Sequence, residues 1–271
     1  GSFRENVLIQ VKNGPLDFQP REPFHPMFGA MPNTSLMIEL QVTKEYLGFS
    51  AHLAYLGTLW EEVLNAETYT AEAGATVSEI VIGDDHPSRV SGVAGVANVG
   101  SDRNWSGSIF DQANWFAFGR LAWDPERASH DIATEWTQLT FSTREDTTAK
   151  IVNIMMASRE AVVNYMTPLG LTHLMGTGHH YGPAPWVDDL GRDDWNPVYY
   201  HRANSKTIGV DRTEGGTNAI AQYAEPLRAL WATPETTPDE LKLWFHALDW
   251  DFRMSDQRTL WDHLVERYDR G

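Results

Sequence analysis

The amino-acid sequence predicts an α/β fold, with parallel strands in the first third of the chain and helices in the remainder. Two apolar runs near the start, Val7–Val11 and Leu36–Val42, are bounded by Gly, Pro and Asn, as strands commonly are. A third run, Gly92–Val99, consists mostly of small residues suited to close packing. Each run leads directly into polar or charged residues. This arrangement is typical of the C-terminal face of a parallel sheet, where α/β enzymes place their chemistry.

The segment between the first two strands, Gly14–Ser35, is predicted to be a long loop. Its closely spaced prolines exclude a regular helix through most of its length. Long loops in compact domains are often functional. The second strand alternates between an apolar face and a mixed face that carries Glu39 and Gln41. Such alternation is expected where a barrel interior holds a few polar groups.

Helical periodicity predicts most of the remaining elements. The predicted helices are Tyr46–Glu62, Ile109–Leu121, Ile132–Phe141, Lys150–Tyr165, Ala219–Leu230, Pro238–Leu248 and Thr259–Tyr268. Val77–Ile82 is compatible with a short helix or a strand, and His173–Arg212 is a long loop rich in aromatic residues and histidine. Three strands cannot close a barrel. The sheet is therefore either small and open, or the later part of a barrel whose earlier strands lie elsewhere.

Composition limits the classes of function. The chain has 271 residues, enough for one large domain or two ordinary ones, and its net charge of −16 disfavours nucleic-acid binding. Cysteine is absent, which excludes disulfides and thiolate metal sites. No apolar run is long enough to cross a bilayer, so no membrane partner is expected. The N-terminus has no signal-peptide pattern, which decides little about location; the cytoplasm is favoured over secretion. The eleven tryptophans are interpreted either as core residues or as platforms that stack on sugar rings.

Two carboxylates, Asp17 and Glu45, follow the ends of the first and second strands. A pair of carboxylates across a pocket can activate water for glycoside hydrolysis, because one accepts the proton while the other orients the water or tunes its partner. The alternative is that both are solvated or capping carboxylates. Lys12, also at a strand end, suits an anionic substrate group, with a salt bridge to Asp17 or Glu45 as the alternative.

The remaining motifs carry weaker signals. Adjacent His179 and His180 lack the other ligands of a metal site, so one of them is a candidate pocket-lining residue beside Tyr181, with ordinary loop packing as the alternative. The glycine spacing matches no nucleotide-binding fingerprint, and no serine stands in a GxSxG motif. Arg21 and Glu22 are expected to pair with neighbours for structural reasons.

Several long segments resemble the α-glucuronidases of glycoside hydrolase family 67. These segments are VKNGPLDFQPREPFHPMFGAMP, LMIELQVTKEYLG, GVAGVANVGSDRNW, QANWFAFGRLAWDP, HHYGPAPWV, VYYHRA and TLWDHLVERYDRG. The resemblance implies the late strands and helices of a (β/α)8 barrel over residues 1–125, followed by an α-helical domain over 126–271 that mediates homodimerisation. It also implies removal of 4-O-methylglucuronic acid, α-1,2-linked to the non-reducing xylose of xylo-oligosaccharides, with inversion and without a metal or cofactor.

The motifs also imply roles for individual residues. Asp17 in GPLDFQP and Glu45 in VTKEYLG match the family's water-activating pair, and Lys12 in VKNGP matches a lysine that contacts the glucuronic acid. Trp195 in DDWNP matches a tryptophan near the xylose side. Tyr181 and His180 are expected to join Trp195 in binding the substrate.

One departure from the family pattern concerns the general acid. The family's acid is a glutamate on an earlier barrel strand, upstream of this chain, so this chain is expected to supply only the base side and to need an N-terminal portion or a second chain. The alternative is an inactive fragment that acts as a carbohydrate-binding or dimerisation module.

Overall fold

A computed structural model describes residues 3–47, 52–70, 75–82, 90–101 and 103–271. The chain divides into two compact units. Unit 1 comprises Gly1–Phe18, Phe24–Glu45 and Phe49–Arg159, and unit 2 comprises Gln19–Pro23, Tyr46–Gly48 and Glu160–Gly271. The mixed α/β class predicted from the sequence is confirmed, whereas the barrel portion and the boundary at residue 125 stay predictions.

Unit 1 contains a three-stranded parallel sheet in the order β1-β2-β3. The strands are β1 (Leu8–Lys12), β2 (Ser35–Gln41) and β3 (Gly92–Val96). All three lie within one or a few residues of the predicted runs. The central strand is the most buried, since Ile38 and Leu40 are fully enclosed, as expected for a strand covered on both faces.

Six helices lie between and after these strands in the described part of the sequence. They are α1 (Met27–Ala30), α2 (Gly57–Leu64), α3 (Val77–Ile82), α4 (Ile109–Trp123), α5 (Ser129–Thr140) and α6 (Glu145–Met166). The start of α4 is fixed by Ser108, whose side chain accepts a hydrogen bond from the backbone N–H of Asp111. The predicted helices over Ile109–Leu121, Ile132–Phe141 and Lys150–Tyr165 are confirmed, with ends that differ from the prediction by up to five residues.

The predicted helix Tyr46–Glu62 is wrong in its first half. Tyr46 and Leu47 lie in a turn, residues 52–56 are not helical, and 48–51 fall outside the described residues. Side chains from elsewhere in unit 1 bind the backbone here: Tyr55 N–H donates to Ser158 Oγ at 2.8 Å and Leu56 N–H to Asn114 Oδ1 at 2.8 Å. These tertiary hydrogen bonds replace the intrahelical ones that the periodicity predicts.

Unit 2 is built from short helices and one small sheet. The α-helices are α7 (Pro197–His201), α8 (Glu225–Leu230), α9 (Lys242–Phe245) and α10 (Leu260–Arg270). The 3-10 helices are Pro168–Gly170, Thr177–His179, Asp193–Trp195, Ala219–Gln222 and Asp239–Leu241. Strands β4 (Thr207–Ile208) and β5 (Leu248–Asp249) pair antiparallel. The predicted helices Ala219–Leu230 and Pro238–Leu248 are therefore each broken into a 3-10 turn and a short α-helix, and the second ends before Leu248 joins β5.

The core of unit 2 is apolar. It consists of Leu169, Leu171, Ile208, Leu243, Leu248, Met254 and Leu260. The last helix begins with a reciprocal cap, in which Thr259 Oγ1 accepts from Asp262 N–H and the Asp262 carboxylate accepts from Thr259 N–H. Within the described residues, no helix is long and apolar enough to cross a membrane.

Candidate active site

The end of β1 brings a lysine and an aspartate together. Lys12 is the last residue of the strand, and its Nζ donates to the Asp17 carboxylate. The same ammonium lies 5.1 Å from the centroid of the Phe18 ring. The two charged side chains are 43% and 41% exposed, so solvent or a ligand reaches both. The salt bridge to Asp17 that stands as the alternative role of Lys12 is therefore present, and the role of Lys12 in binding a substrate stays a prediction.

The turn that presents Asp17 has an unusual backbone. Asp17 and Phe18 both adopt φ of 64°, a left-handed conformation that disfavours residues other than glycine. The turn is held at its start by Asn13, whose N–H donates to Glu39 O at 3.1 Å and whose carbonyl accepts from His25 N–H at 3.0 Å. Consecutive strained residues are concentrated at functional sites, which supports the hypothesis that Asp17 is functional.

The end of β2 orients a second carboxylate. Gln41, the last residue of β2, uses both ends of its amide on Glu45: Nε2 donates to Glu45 Oε2 at 3.0 Å, and Oε1 accepts from Glu45 N–H at 3.0 Å. Gln41 is 6% exposed, so packing limits the motion of its amide. The carboxylate of Glu45 is therefore restrained by a buried neighbour.

The two carboxylates follow adjacent strands of one sheet. Lys12 at the end of β1 is in register with Glu39, two residues before the end of β2. Because both strands are parallel, Asp17 and Glu45 both follow strands that end at the same edge of the sheet. Whether they share one water molecule stays a prediction.

Three predicted substrate-binding residues belong to unit 2. His180 stacks on Tyr46, with ring centroids 5.5 Å apart and planes inclined by 24°. Tyr181 is 43% exposed, and Trp195 is 40% exposed with the Arg192 guanidinium 5.4 Å from its ring centroid. The roles of these three residues in binding stay predictions.

Unit 2 also contains an apolar cavity of about 370 Å³. Its lining residues are Asn164, Pro168, Leu171, Leu174, Pro185, His201, Ala203, Ile208, Trp250, Trp261, Leu264, Val265, Tyr268 and Asp269. The polar atoms of His201 are occupied, since Nε2 lies 2.8 Å from Pro185 O and Nδ1 accepts from Ala203 N–H at 2.9 Å. A cavity of this composition suits an apolar occupant better than a sugar, whose hydroxyls need hydrogen-bond partners.

Several residues near the strand ends were not identified from the sequence. Gln41 was assigned only to the mixed face of β2, although its position four residues before Glu45 was a usable signal. Lys44 pairs with Asp111 of α4, and no local pattern indicates this contact.

Arg21 pairs with Glu160, and Glu22 accepts from Gln19 N–H, as expected for structural roles. In the described ranges, no group of three or more His, Asp or Glu is arranged to hold a metal ion.

Comparison with known proteins gives consistent matches along the chain. A family model described as "Glycosyl hydrolase family 67 middle domain" matches residues 1–105, and one described as "Glycosyl hydrolase family 67 C-terminus" matches residues 106–271.

Individual relatives match the chain over nearly its whole length. The chain is 41% identical to an alpha-glucuronidase of Hypocrea jecorina over 276 residues, which cover 100% of this chain and 32% of the relative. It is 40% identical to alpha-glucuronidase A of Emericella nidulans (99% and 32% covered), and 39% identical to alpha-glucuronidase A of Aspergillus tubingensis (100% and 32%). The chain thus spans about a third of the length of these relatives.

Proposed function

The chain belongs to glycosyl hydrolase family 67, and from this premise we propose that it supplies the water-activating part of an inverting α-glucuronidase. The substrate would be a xylo-oligosaccharide carrying (4-O-methyl)-glucuronic acid, α-1,2-linked to its non-reducing xylose. The activity would serve xylan degradation. We also propose that residues 1–125 contribute late strands and helices to a (β/α)8 barrel, since the three strands in this range are parallel.

The observation that carries the proposal is the placement of Asp17 and Glu45 after adjacent parallel strands. In the proposed reaction, the pair holds a water molecule and removes its proton while oxygen attacks the anomeric carbon. Gln41 would keep the Glu45 carboxylate in one orientation through two hydrogen bonds of 3.0 Å. Because the carboxylate is already oriented, little conformational entropy is lost when the reacting groups are brought together.

Inversion requires a general acid on the opposite side of the sugar. That acid would come from an earlier barrel strand outside this chain, which agrees with the 32% coverage of the relatives. It would protonate the xylose oxygen as the glycosidic bond breaks. Active enzyme would therefore need this chain together with the upstream barrel portion.

Binding would use a cationic side chain and aromatic rings. Lys12, half-exposed beside Asp17, would pair with the uronate carboxylate of the substrate. In a protein of net charge −16, a cation at this point would offset repulsion of an anionic sugar. Trp195, Tyr181 and His180 would contact the xylose portion.

The test replaces Asp17 and Glu45 with their amides and compares each variant with the wild type. The enzyme assayed contains this chain, completed where needed by the upstream part of a family relative. Asp17→Asn and Glu45→Gln should each lower kcat by about a hundredfold or more on an aldouronic acid, with little change in KM. Asp124→Asn, at an exposed position after α4, is the matched control. Proton NMR of early product should show β-glucuronate, the product of inversion. Normal turnover in both variants would refute the base assignment.

The alternative proposal, a dimerisation or carbohydrate-binding module without activity, draws on unit 2. Helix α10 exposes Trp261, Val265 and Tyr268, which recur at helical spacing beside the apolar cavity. We propose that this face pairs with a second copy of the chain. Trp261→Glu should convert a dimer into a monomer in sedimentation experiments, while Trp123→Glu, at another exposed tryptophan, should not. A monomeric wild-type chain would refute pairing.

The same chain, assayed alone and after addition of the upstream portion, separates the two functions. Release of glucuronate only after complementation supports the split enzyme. Sugar binding with no release in either case supports the binding module.

A further inference from the structure

A buried ion pair lies next to the candidate base in the chain. Lys44 Nζ is 2.5 Å from Asp111 Oδ1, and the two side chains are only 2% and 3% exposed. Lys44 Nζ also donates to the carbonyl of His52 at 2.6 Å. Removing both charges from water is expensive, and replacing a buried pair with apolar residues is often neutral or stabilising. Stability alone therefore gives little reason for a lysine and an aspartate here.

The backbone at Lys44 is also unusual. Its φ of +56° lies in the left-handed region, which favours glycine or asparagine. The turn directly precedes Glu45. Thr43, the residue before Lys44, is bound to the end of β3 and the residues after it. Its N–H donates to Val96 O at 3.3 Å, and its Oγ1 accepts from Asn98 N–H at 2.6 Å. A lysine in this conformation directs a long side chain toward α4, whereas glycine would satisfy the backbone without any such contact.

Helix α4 provides a rigid partner for this turn. Asp111 lies in its first turn, where the helix dipole favours a negative charge and where Ser108 caps the chain. One turn later, fully buried Asn114 accepts from Leu56 N–H at 2.8 Å and donates to Ala54 O at 3.0 Å. The start of α4 thus holds the chain both just before Glu45 and some ten residues after it.

We propose that the Lys44–Asp111 pair positions the carboxylate of Glu45 by fixing the left-handed turn that precedes it, an inference that rests on the proposed role of Glu45 in water activation. Lys44 and Asp111 act here as positioning residues, because neither is placed on the reacting atoms. The pair sets the direction of the chain, and Gln41 sets the orientation of the carboxylate.

The electrostatics of Lys44 agree with this role. Burial lowers its pKa, and the charge of Asp111 and the hydrogen bond to it act in the opposite direction. Loss of Asp111 would leave a buried cation without its counter-charge, so the side chain would lose its proton or leave the site. Either response would release the turn.

The experiment uses an active enzyme containing this chain, and compares Lys44→Met/Asp111→Leu with Glu45→Ala. The double variant retains apolar volume without leaving an isolated charge, so its melting temperature should stay near that of the wild type. Its kcat should fall about tenfold or more while KM stays near the wild-type value, because a small displacement of a catalytic group is costly. Arg120→Met, on α4 like Asp111, removes a part-exposed pair with Glu135 of α5 and should leave kcat unchanged.

Azide distinguishes displacement of the base from partial unfolding. Azide needs no general base: it bonds to the anomeric carbon while the xylose oxygen leaves with the proton of the general acid. It should restore turnover, with glucuronosyl azide as product, in both Glu45→Ala and the double variant. Wild-type kcat in the double variant beside an inactive Glu45→Ala would overturn the inference, as would a loss that azide does not recover although it rescues Glu45→Ala. Wild-type turnover in Glu45→Ala would instead refute the proposed role of Glu45.

Discussion

At the ends of β1 and β2 in unit 1, half-exposed charged groups are held by specific partners, whereas the cavity of unit 2 is lined almost entirely by apolar side chains. Lys12 binds Asp17, and Gln41 binds Glu45. In unit 2, His201 beside the cavity has both ring nitrogens occupied by backbone atoms. The first region keeps polar groups available to a ligand, and the second keeps them satisfied internally.

The two regions are expected to differ in what a substitution changes. Charges that remain solvent-accessible contribute little to folding, so substituting Lys12 or Asp17 should leave stability almost unchanged. Apolar lining contributes to stability or association in proportion to the area removed from water. Substitutions of the charged groups at the ends of β1 and β2 should therefore change kinetics, and substitutions in the apolar core of unit 2 should change stability or assembly.

The largest effect is expected from the core of unit 2. Leu243→Ala should lower the free energy of unfolding by about 2–5 kcal/mol, because Leu243 is 1% exposed within the apolar core and its loss leaves a cavity. Denaturant titration followed by tryptophan fluorescence measures the change. Leu230→Ala, with a side chain that is 40% exposed, is the matched control and should cost far less. Equal losses in the two variants would contradict the assignment of the core.

The next effect concerns the pH dependence of unit 2. Burial lowers the pKa of His246 to about 4, and its Nε2 lies 2.8 Å from Thr237 Oγ1. The unfolded chain binds a proton near pH 6.5, whereas the native state resists it until about pH 4. The stability contributed by neutral His246 is therefore complete above pH 6.5 and is lost as pH falls toward 4, by at most about 3 kcal/mol.

Unfolding midpoints measured from pH 7 to 4 test this prediction. His246→Gln should flatten the decline, since glutamine does not titrate. His130→Gln, at an exposed position, should not flatten it. An equally steep decline in wild type and His246→Gln would show that other groups cause it.

A smaller change, in the free energy of substrate binding, is expected at Lys12. Lys12→Met should raise KM for an aldouronic acid about tenfold to a hundredfold, because one charge-assisted hydrogen bond to the uronate is lost. The melting temperature should hardly change. Lys206→Met removes an exposed lysine 3.9 Å from Asp249 in unit 2, and should leave KM unaltered. The same KM in both variants would exclude Lys12 from binding the uronate.

The smallest effect is expected at the start of α10. Thr259→Ala removes the reciprocal cap with Asp262 and should lower the free energy of unfolding by about 1 kcal/mol. Turnover should stay at the wild-type level, since the cap lies in the region assigned to stability. Thr236→Ala removes an exposed hydroxyl that donates to Thr233 O, and serves as the comparison. A loss of kcat in Thr259→Ala would contradict the expectation that the cap affects stability alone.

Local pattern predicted much of the fold, and one of its failures has a tertiary cause. The three parallel strands and helices α4, α5, α6 and α10 follow from apolar and helical periodicity in the sequence. The predicted helix from Tyr46 failed because Ser158 and Asn114 bind the backbone at Tyr55 and Leu56. Those partners are remote in sequence, so no window of neighbouring residues contains them.

The sequence by itself determined the mixed α/β class, the family, and the positions of Lys12, Asp17 and Glu45 directly after strands. Those features are encoded by apolar periodicity and by motifs of adjacent residues. Only the tertiary structure decided that Lys12 binds Asp17, that Gln41 holds Glu45, and that Lys44 pairs with Asp111. Side-chain partners depend on how elements pack, and packing brings together residues that no local pattern relates.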